Sequence, residues 1–237
     1  MDQDRHKTQR LGNLLTSHNS ETLLDTTKLS PIFSPDKAEI VYQRLKQYYT
    51  DEVYQRTGQQ PRDMAFFEPK LKGLAGWICN TSSAKRGLII SGPTGIGKTT
   101  LIMAMKTLFN NTNYFGYTMQ MSAKYVGDYY RFREEGDKWN IYTGETKVKR
   151  FNEPAQPVCK ILFIDDLGME EDDYKDYGTK TKPMAKLLHD RYERGLITIV
   201  STNLESMDKL REKYDDRIMD RFNSYAKIFY SMDSYRK

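Results

Sequence analysis

The octapeptide Gly92-Pro93-Thr94-Gly95-Ile96-Gly97-Lys98-Thr99 constrains this chain more than any other stretch. It has the spacing GxxxxGK(S/T) and sits between the apolar run Leu88-Ile89-Ile90 and a helical run that continues from Leu101. A glycine-rich turn between strand and helix lets consecutive backbone N–H groups converge on an anion, and the helix start adds the positive end of its dipole. In such a loop Lys98 reaches the β- and γ-phosphates and the Thr99 hydroxyl ligates Mg²⁺, so residues 92–99, with Thr100 beside them, are expected to hold ATP. A purely structural glycine-rich turn is the competing reading.

A second signal lies downstream. Lys160-Ile161-Leu162-Phe163-Ile164-Asp165-Asp166 reads as a buried strand ending in two carboxylates. In a parallel sheet the strand C-termini face the ligand crevice, which sets Asp165 at the magnesium and Asp166 where it can orient or deprotonate an attacking water. Read alone, the same residues form a solvated acidic turn, since Glu170, Glu171, Asp172 and Asp173 continue the negative charge. A third strand, Ile197 to Thr202, delivers Asn203 at its end. Asn203 could hold the water beside the γ-phosphate, or serve only as a turn or helix-capping residue.

The wider pattern is α/β: a P-loop NTPase arrangement with a parallel five-stranded sheet flanked by helices. Strands are expected at 88–91, 117–121, 160–165, 197–202 and 226–231, and helices at 98–110, 123–135, 183–194 and 206–213. Residues 136–157 read as a long loop. Ahead of the sheet, residues 1–30 are polar and without period, a mobile arm. Ser34-Pro35 then opens an amphipathic helix with a stripe of Ala38, Val41, Tyr42, Leu45, Tyr48, Tyr49 and Val53 that runs to Gly58, followed by a weaker helix over 67–79. This divides the chain into a partner-binding segment, 1–60, and an ATPase domain, 61–237. The tyrosine stripe also suits packing against the chain's own domain.

Composition excludes other classes. Two cysteines, Cys79 and Cys159, and three scattered histidines, His6, His18 and His189, cannot build a zinc module or a disulfide framework. No apolar stretch approaches the roughly 18 residues that span a bilayer and no signal-peptide pattern opens the sequence, so a cytoplasmic, reducing location is expected and no membrane partner. Thirty-seven Lys plus Arg against 32 Asp plus Glu leave a net charge of +5, which permits a polyanionic partner without demanding one.

Taken in order, these segments resemble the AAA+ ATPases, and within them the DnaC/IstB group of helicase loaders and transposition helpers. The resemblance rests on Ile164-Asp165-Asp166-Leu167-Gly168, on Arg191-Tyr192-Glu193-Arg194-Gly195 followed by Ser201-Thr202-Asn203-Leu204, on Asp216-Arg217-Ile218-Met219-Asp220-Arg221-Phe222, and on Asp233-Ser234-Tyr235-Arg236. It covers 87–237. It implies Walker A at Gly92 to Thr99, Walker B at Asp165 and Asp166, and sensor I at Asn203. It also implies an arginine finger at Arg221, with Arg217 in reserve, and sensor II at Arg236. A planar guanidinium suits the charge that gathers on a departing γ-phosphate. The pair Arg217/Arg221 also fits a solvated face spaced i, i+4 on a short helix. Asp166 departs from the glutamate that many AAA+ proteins carry there, and with only Lys237 after Arg236 no helical lid is expected.

The resemblance implies a DNA-replication factor that assembles as an ATP-dependent homo-oligomer and loads a hexameric DnaB-type replicative helicase onto single-stranded DNA. Alternatives are an IstB-like transposition helper on duplex DNA, a small-metabolite P-loop kinase, and a module that uses ATP only as a switch. DNA contacts are expected at Lys124, Tyr125, Tyr129, Tyr130 and Arg131, where basic and aromatic residues interleave, and at Tyr174, Lys175 and Tyr177. A tyrosine-rich packed helix and a polar loop are the plainer readings of both sets.

Overall fold

A computed structural model describes residues 33–79, 87–112, 118–132, 138–145, 159–171, 174–176, 179–204 and 206–230. The arm at 1–30, Tyr177, and the terminal segment with Arg236 lie outside them.

Helix α1 (Ala38–Thr57) follows a 3-10 turn at Pro35–Lys37 and ends on Gly58, whose φ of 68° and N–H bond to Tyr54 O make a left-handed cap. Ser34 precedes the turn in extended backbone and makes no side-chain cap, so the long helix starts later than Ser34-Pro35 suggests. Helix α2 (Met64–Cys79) is longer than expected, with Pro69 inside it. Then come β1 (Gly87–Ser91), α3 (Lys98–Asn110), β2 (Thr118–Ser122), a 3-10 turn at Ala123–Tyr125, α4 (Val126–Arg131) and α5 (Lys138–Thr143). The chain continues through β3 (Ile161–Leu167), β4 (Tyr174–Asp176), β5 (Thr179–Thr181), α6 (Pro183–Glu193), β6 (Ile197–Thr202), α7 (Met207–Lys213), α8 (Asp216–Ser224) and β7 (Ala226–Phe229).

Five strands form one parallel sheet in the order β2-β3-β6-β1-β7, and β4 and β5 pair antiparallel as a separate hairpin. The expected fold class therefore stands. The interior strands are apolar on both faces, as a sheet covered on both sides requires. Leu88, Ile90, Ile161, Phe163, Ile197 and Ile199 face α1, α2 and α3, while Ile89, Leu162, Ile164 and Val200 face α4 to α8. The two clusters make a three-layer sandwich.

The division at residue 60 has no counterpart in this packing. Val41, Tyr42, Leu45 and Tyr49 of α1 lie in the same core as Leu101, Ile102 and Met105 of α3, the helix that leaves the phosphate loop. Glu68 of α2 ties the two leading helices together by accepting from Tyr42 Oη and from Lys46 Nζ, the latter at 2.7 Å. The stripe on α1 is thus a packing face, and residues 38–57 share one core with α3 and the sheet. The stretch read as a long loop holds a helix, α5, whose Trp139 and Tyr142 are buried.

Candidate functional site

Parallel pairing places the C-terminal ends of β1, β3 and β6 side by side, because β6 lies between the other two. The loop from 92 to 97 leaves β1 there and re-enters as α3. Gly97 caps the helix with φ 93° and Gly95 stands at φ 89°, backbone that residues with a Cβ rarely adopt, which is why the spacing demands glycine.

Lys98 is 5% exposed, and its Nζ donates to Gly92 O at 2.7 Å, Pro93 O at 2.8 Å and Asn203 Oδ1 at 2.7 Å. All three acceptors are neutral. Burial pushes its pKa down, opposed by the charges of Asp166 and Asp165. A buried cation with only carbonyl partners, at the mouth of a loop and beside a helix N-terminus, suits a polyanion.

Thr99 Oγ1 donates to Asp165 Oδ1 at 3.3 Å, so the two oxygens expected at magnesium are neighbours. Ser201 Oγ donates to the same Asp165 oxygen and accepts the Asp166 backbone N–H at 3.0 Å. Asn203 Nδ2 lies 3.5 Å from Asp166 Oδ1. Among the described residues there is no cluster of three or more His, Cys, Asp or Glu able to hold a metal by themselves. Thr99 Oγ1 and Asp165 are the kind of donor set magnesium takes, one or two protein oxygens together with substrate phosphates.

Asp166 is the one non-glycine among the described residues with positive φ, at 57°. It sits where the β3–β6 register shifts between Ile164 and Leu167. Burial first, and then the charge of Asp165, raise its pKa, while Lys98 and the Asn203 amide pull it down. The site therefore brings together Lys98, Thr99, Asp165, Asp166 and Asn203. Ser201, which holds both aspartates, stands in the Ser201-Thr202-Asn203 strand end, but the sequence reading gave it no role of its own.

The two arginines of α8 are placed differently from one another. Arg221, expected to reach outward, is 9% exposed, and its guanidinium donates to Glu193 Oε1 at 2.7 Å and to Arg217 O at 2.6 Å. It also lies 5.1 Å from the Tyr192 ring centroid, so it is engaged within its own chain. Arg217 is exposed, with Nη2 3.4 Å from His189 Nε2.

The aromatic and basic set after β2 also divides. Tyr130 is buried against Trp139 and Tyr174, and Tyr129 packs edge-on against Tyr142. Lys124 and Arg131 are exposed, as are Tyr125 at 48% and Phe132 at 51%; Lys124 Nζ and the Arg131 guanidinium each lie 5.8 Å from the adjacent ring. Phe132 had not been singled out from the sequence.

A glycine-rich phosphate loop after β1, an acidic strand end on β3 and a polar strand between them define the P-loop NTPase fold. The chain superposes on a primosome component assigned in Streptococcus pyogenes serotype M3 with a TM-score of 0.50 and 19% identity, over 73% of this chain and 81% of that one. It superposes on the DnaC helicase loader with a TM-score of 0.50 and 15% identity, over 72% and 93% of the two chains. The chain shares the fold of the DnaC helicase loader. No family model matches the sequence, and no curated protein matches it.

Proposed function

We propose that this chain is an ATP-dependent replication factor of the helicase-loader type. In this reading it binds and hydrolyses ATP in an assembly of its own copies and sets a hexameric replicative helicase onto single-stranded DNA. The observation that carries the ATPase part is the convergence of Lys98, Asp165, Asp166 and Asn203 within one hydrogen-bonded group at three adjacent strand ends. The loader part is supported by the fold, shared with a helicase loader over most of both chains.

The loop amides and the start of α3 would hold the phosphates, and Lys98 would exchange its carbonyl partners for β- and γ-oxygens. Magnesium, held by Thr99 and, directly or through water, Asp165, would neutralise phosphate charge. Asp166 would take the proton of the attacking water and Asn203 would keep that water in line. Arg217, exposed on α8, is the better placed guanidinium to reach a neighbouring subunit; Arg221 keeps α8 on α6. Exposed Tyr125 and Phe132, each with a cation beside it, provide stacking faces for unpaired bases. No helix among the described residues is long and apolar enough to cross a membrane.

A fluorescent-ATP titration and a pull-down test the two halves. Lys98→Ala should abolish nucleotide binding, and a retained affinity would overturn the site. Capture of a hexameric helicase supports the loader reading; capture of a transposase in its place overturns it.

A further inference from the structure

Glu170 was read from the sequence only as one of four acidic residues after the strand, yet it is 7% exposed and fully engaged. Its Oε2 accepts the Gly168 backbone N–H at 2.8 Å, its Oε1 accepts the Tyr214 hydroxyl, and its carbonyl oxygen accepts Lys213 Nζ at 3.2 Å. A buried carboxylate that receives a backbone N–H two residues earlier closes a tight turn back toward Asp166. The turn is restrained along its length. Asp166 holds φ 57°, Gly168 holds φ 102°, and Met169 N–H bonds to Asp166 O at 3.1 Å. A Cβ on Gly168 would come within 3.0 Å of Leu204 Cδ1, so this turn also packs against the residue after Asn203.

We propose that Glu170 is the positioning residue for Asp166. It fixes the turn that keeps Asp166 in left-handed backbone and anchors that turn on Tyr214, at the joint between α7 and α8. The physical reason is cost. Left-handed backbone at a non-glycine residue persists only when its surroundings over-determine it. The Asp166 N–H is fixed by Ser201 on one side, and Glu170 supplies the restraint on the other. Glu170 itself takes no proton and touches no substrate. Through Tyr214 it also joins the Walker B turn to the joint that leads into α8, where Arg217 sits, so the base and the outward arginine share one support.

The inference rests on the ATPase reading. Glu170→Ala removes both side-chain bonds. It should lower kcat at least tenfold while the ATP dissociation constant stays within about twofold, since misplacement of a catalytic group by about 1 Å costs on that order or more. Glu170→Gln should recover most of the loss, because the amide oxygen can still accept from Gly168 and the amide nitrogen can donate to Tyr214 Oη. Tyr214→Phe, which keeps the ring in its packing, should lower kcat to a smaller degree with affinity again unchanged, and provides the readout if Glu170→Ala does not fold. Wild-type kcat in Glu170→Ala, or in Tyr214→Phe where that variant is the readout, overturns the proposal. So does a parallel loss of kcat and affinity, which marks a merely structural role. A Glu170→Gln protein as inactive as Glu170→Ala also overturns it, because charge or proton transfer at Glu170 is then what matters. Failure of the ATPase reading is recognised separately, by a wild type that binds ATP without turnover.

Discussion

At the scale of single residues the site turns on Asp166, which bears left-handed backbone and a half-buried carboxylate beside Asp165. Its raised pKa means that the folded protein binds this proton more tightly than the unfolded chain does. The group therefore contributes stability below the ordinary carboxylate pKa, and that contribution is lost as pH rises through the raised value. At neutral pH an ionised Asp166 works against the fold. Asp166→Asn removes the charge and substitutes a residue at home in left-handed backbone. The variant should unfold about 1–3 °C higher than wild type at pH 7, with the gain shrinking at acid pH, while ATP affinity holds and turnover stops. Wild-type kcat should fall as pH drops through the raised Asp166 pKa. Thermal melts at two pH values and a steady-state assay check this; a less stable variant, or one with undiminished turnover, removes Asp166 from the role. Lys98, Thr99 and Asp165 were legible because a fixed spacing ties them to a strand end. Ser201 and Glu170 were not, because their roles come from contacts between segments 35 or more residues apart, such as Ser201 to Asp166 and Glu170 to Tyr214.

At the scale of elements, β6 at Ile197–Thr202 and α3 at Lys98–Asn110 coincide with the sequence reading, and the other sheet strands differ by a few residues at their ends. Continuous apolar runs announce strands buried on both faces. Short elements announce less: α5 has six residues anchored by two aromatics, and α4 stops at Arg131 although its pattern suggested a longer helix. The opposite end of the sheet has its own fastening. Arg191 is wholly buried on α6 and donates to Thr198 Oγ1, Tyr142 O, Cys159 O, Lys160 O and Ile197 O, so one guanidinium joins α5, the two residues that lead into β3, and β6. Five donors in a rigid fork fill that role, and lysine has three. Arg191→Ala should cost about 3–5 kcal/mol, as removal of a buried hydrogen-bonded charge network does, and Arg191→Lys should recover little of it. Denaturant unfolding measures both. Helix α1 offers a second test. Burial of Val41, Tyr42, Leu45 and Tyr49 at about 1.5–3 kcal/mol each is comparable to the whole stability of a domain. Deletion of residues 1–60 should therefore abolish cooperative unfolding and ATP binding together, whereas deletion of residues 1–32 leaves α1 in place and should preserve both. A folded, ATP-binding 61–237 fragment would restore the division at residue 60.

At the scale of the whole molecule, the question is which surface completes the site from outside. The sheet order leaves the candidate nucleotide crevice at one end of the strands, and α8 hangs from the same sheet through β7, which pairs with β1. Hydrolysis of a γ-phosphate gathers negative charge, and an arginine supplied to it is worth roughly 10³ to 10⁵ in rate. Arg221 is not free to supply it, being bound to Glu193 and laid against Tyr192, and its substitution by alanine should lower thermal stability by loosening α8 from α6. Arg217 stands one turn earlier and exposed. If it acts on a neighbouring copy, wild-type specific activity should rise with protein concentration, or on a scaffold of helicase or single-stranded DNA. Arg217→Ala should then bind ATP normally and hydrolyse it poorly. Mixed with Lys98→Ala, it should regain activity, because an interface between the two variants can join an intact phosphate loop from the first with an intact Arg217 from the second. Arg221→Ala mixed with Lys98→Ala serves as the comparison, and recovery there in place of the Arg217 mixture would return the outward role to Arg221. A mixture of Arg217→Ala and Lys98→Ala that stays as inactive as its parents, where wild type assembles and turns over, shows that Arg217 acts within its own subunit or belongs only to the solvated face of α8.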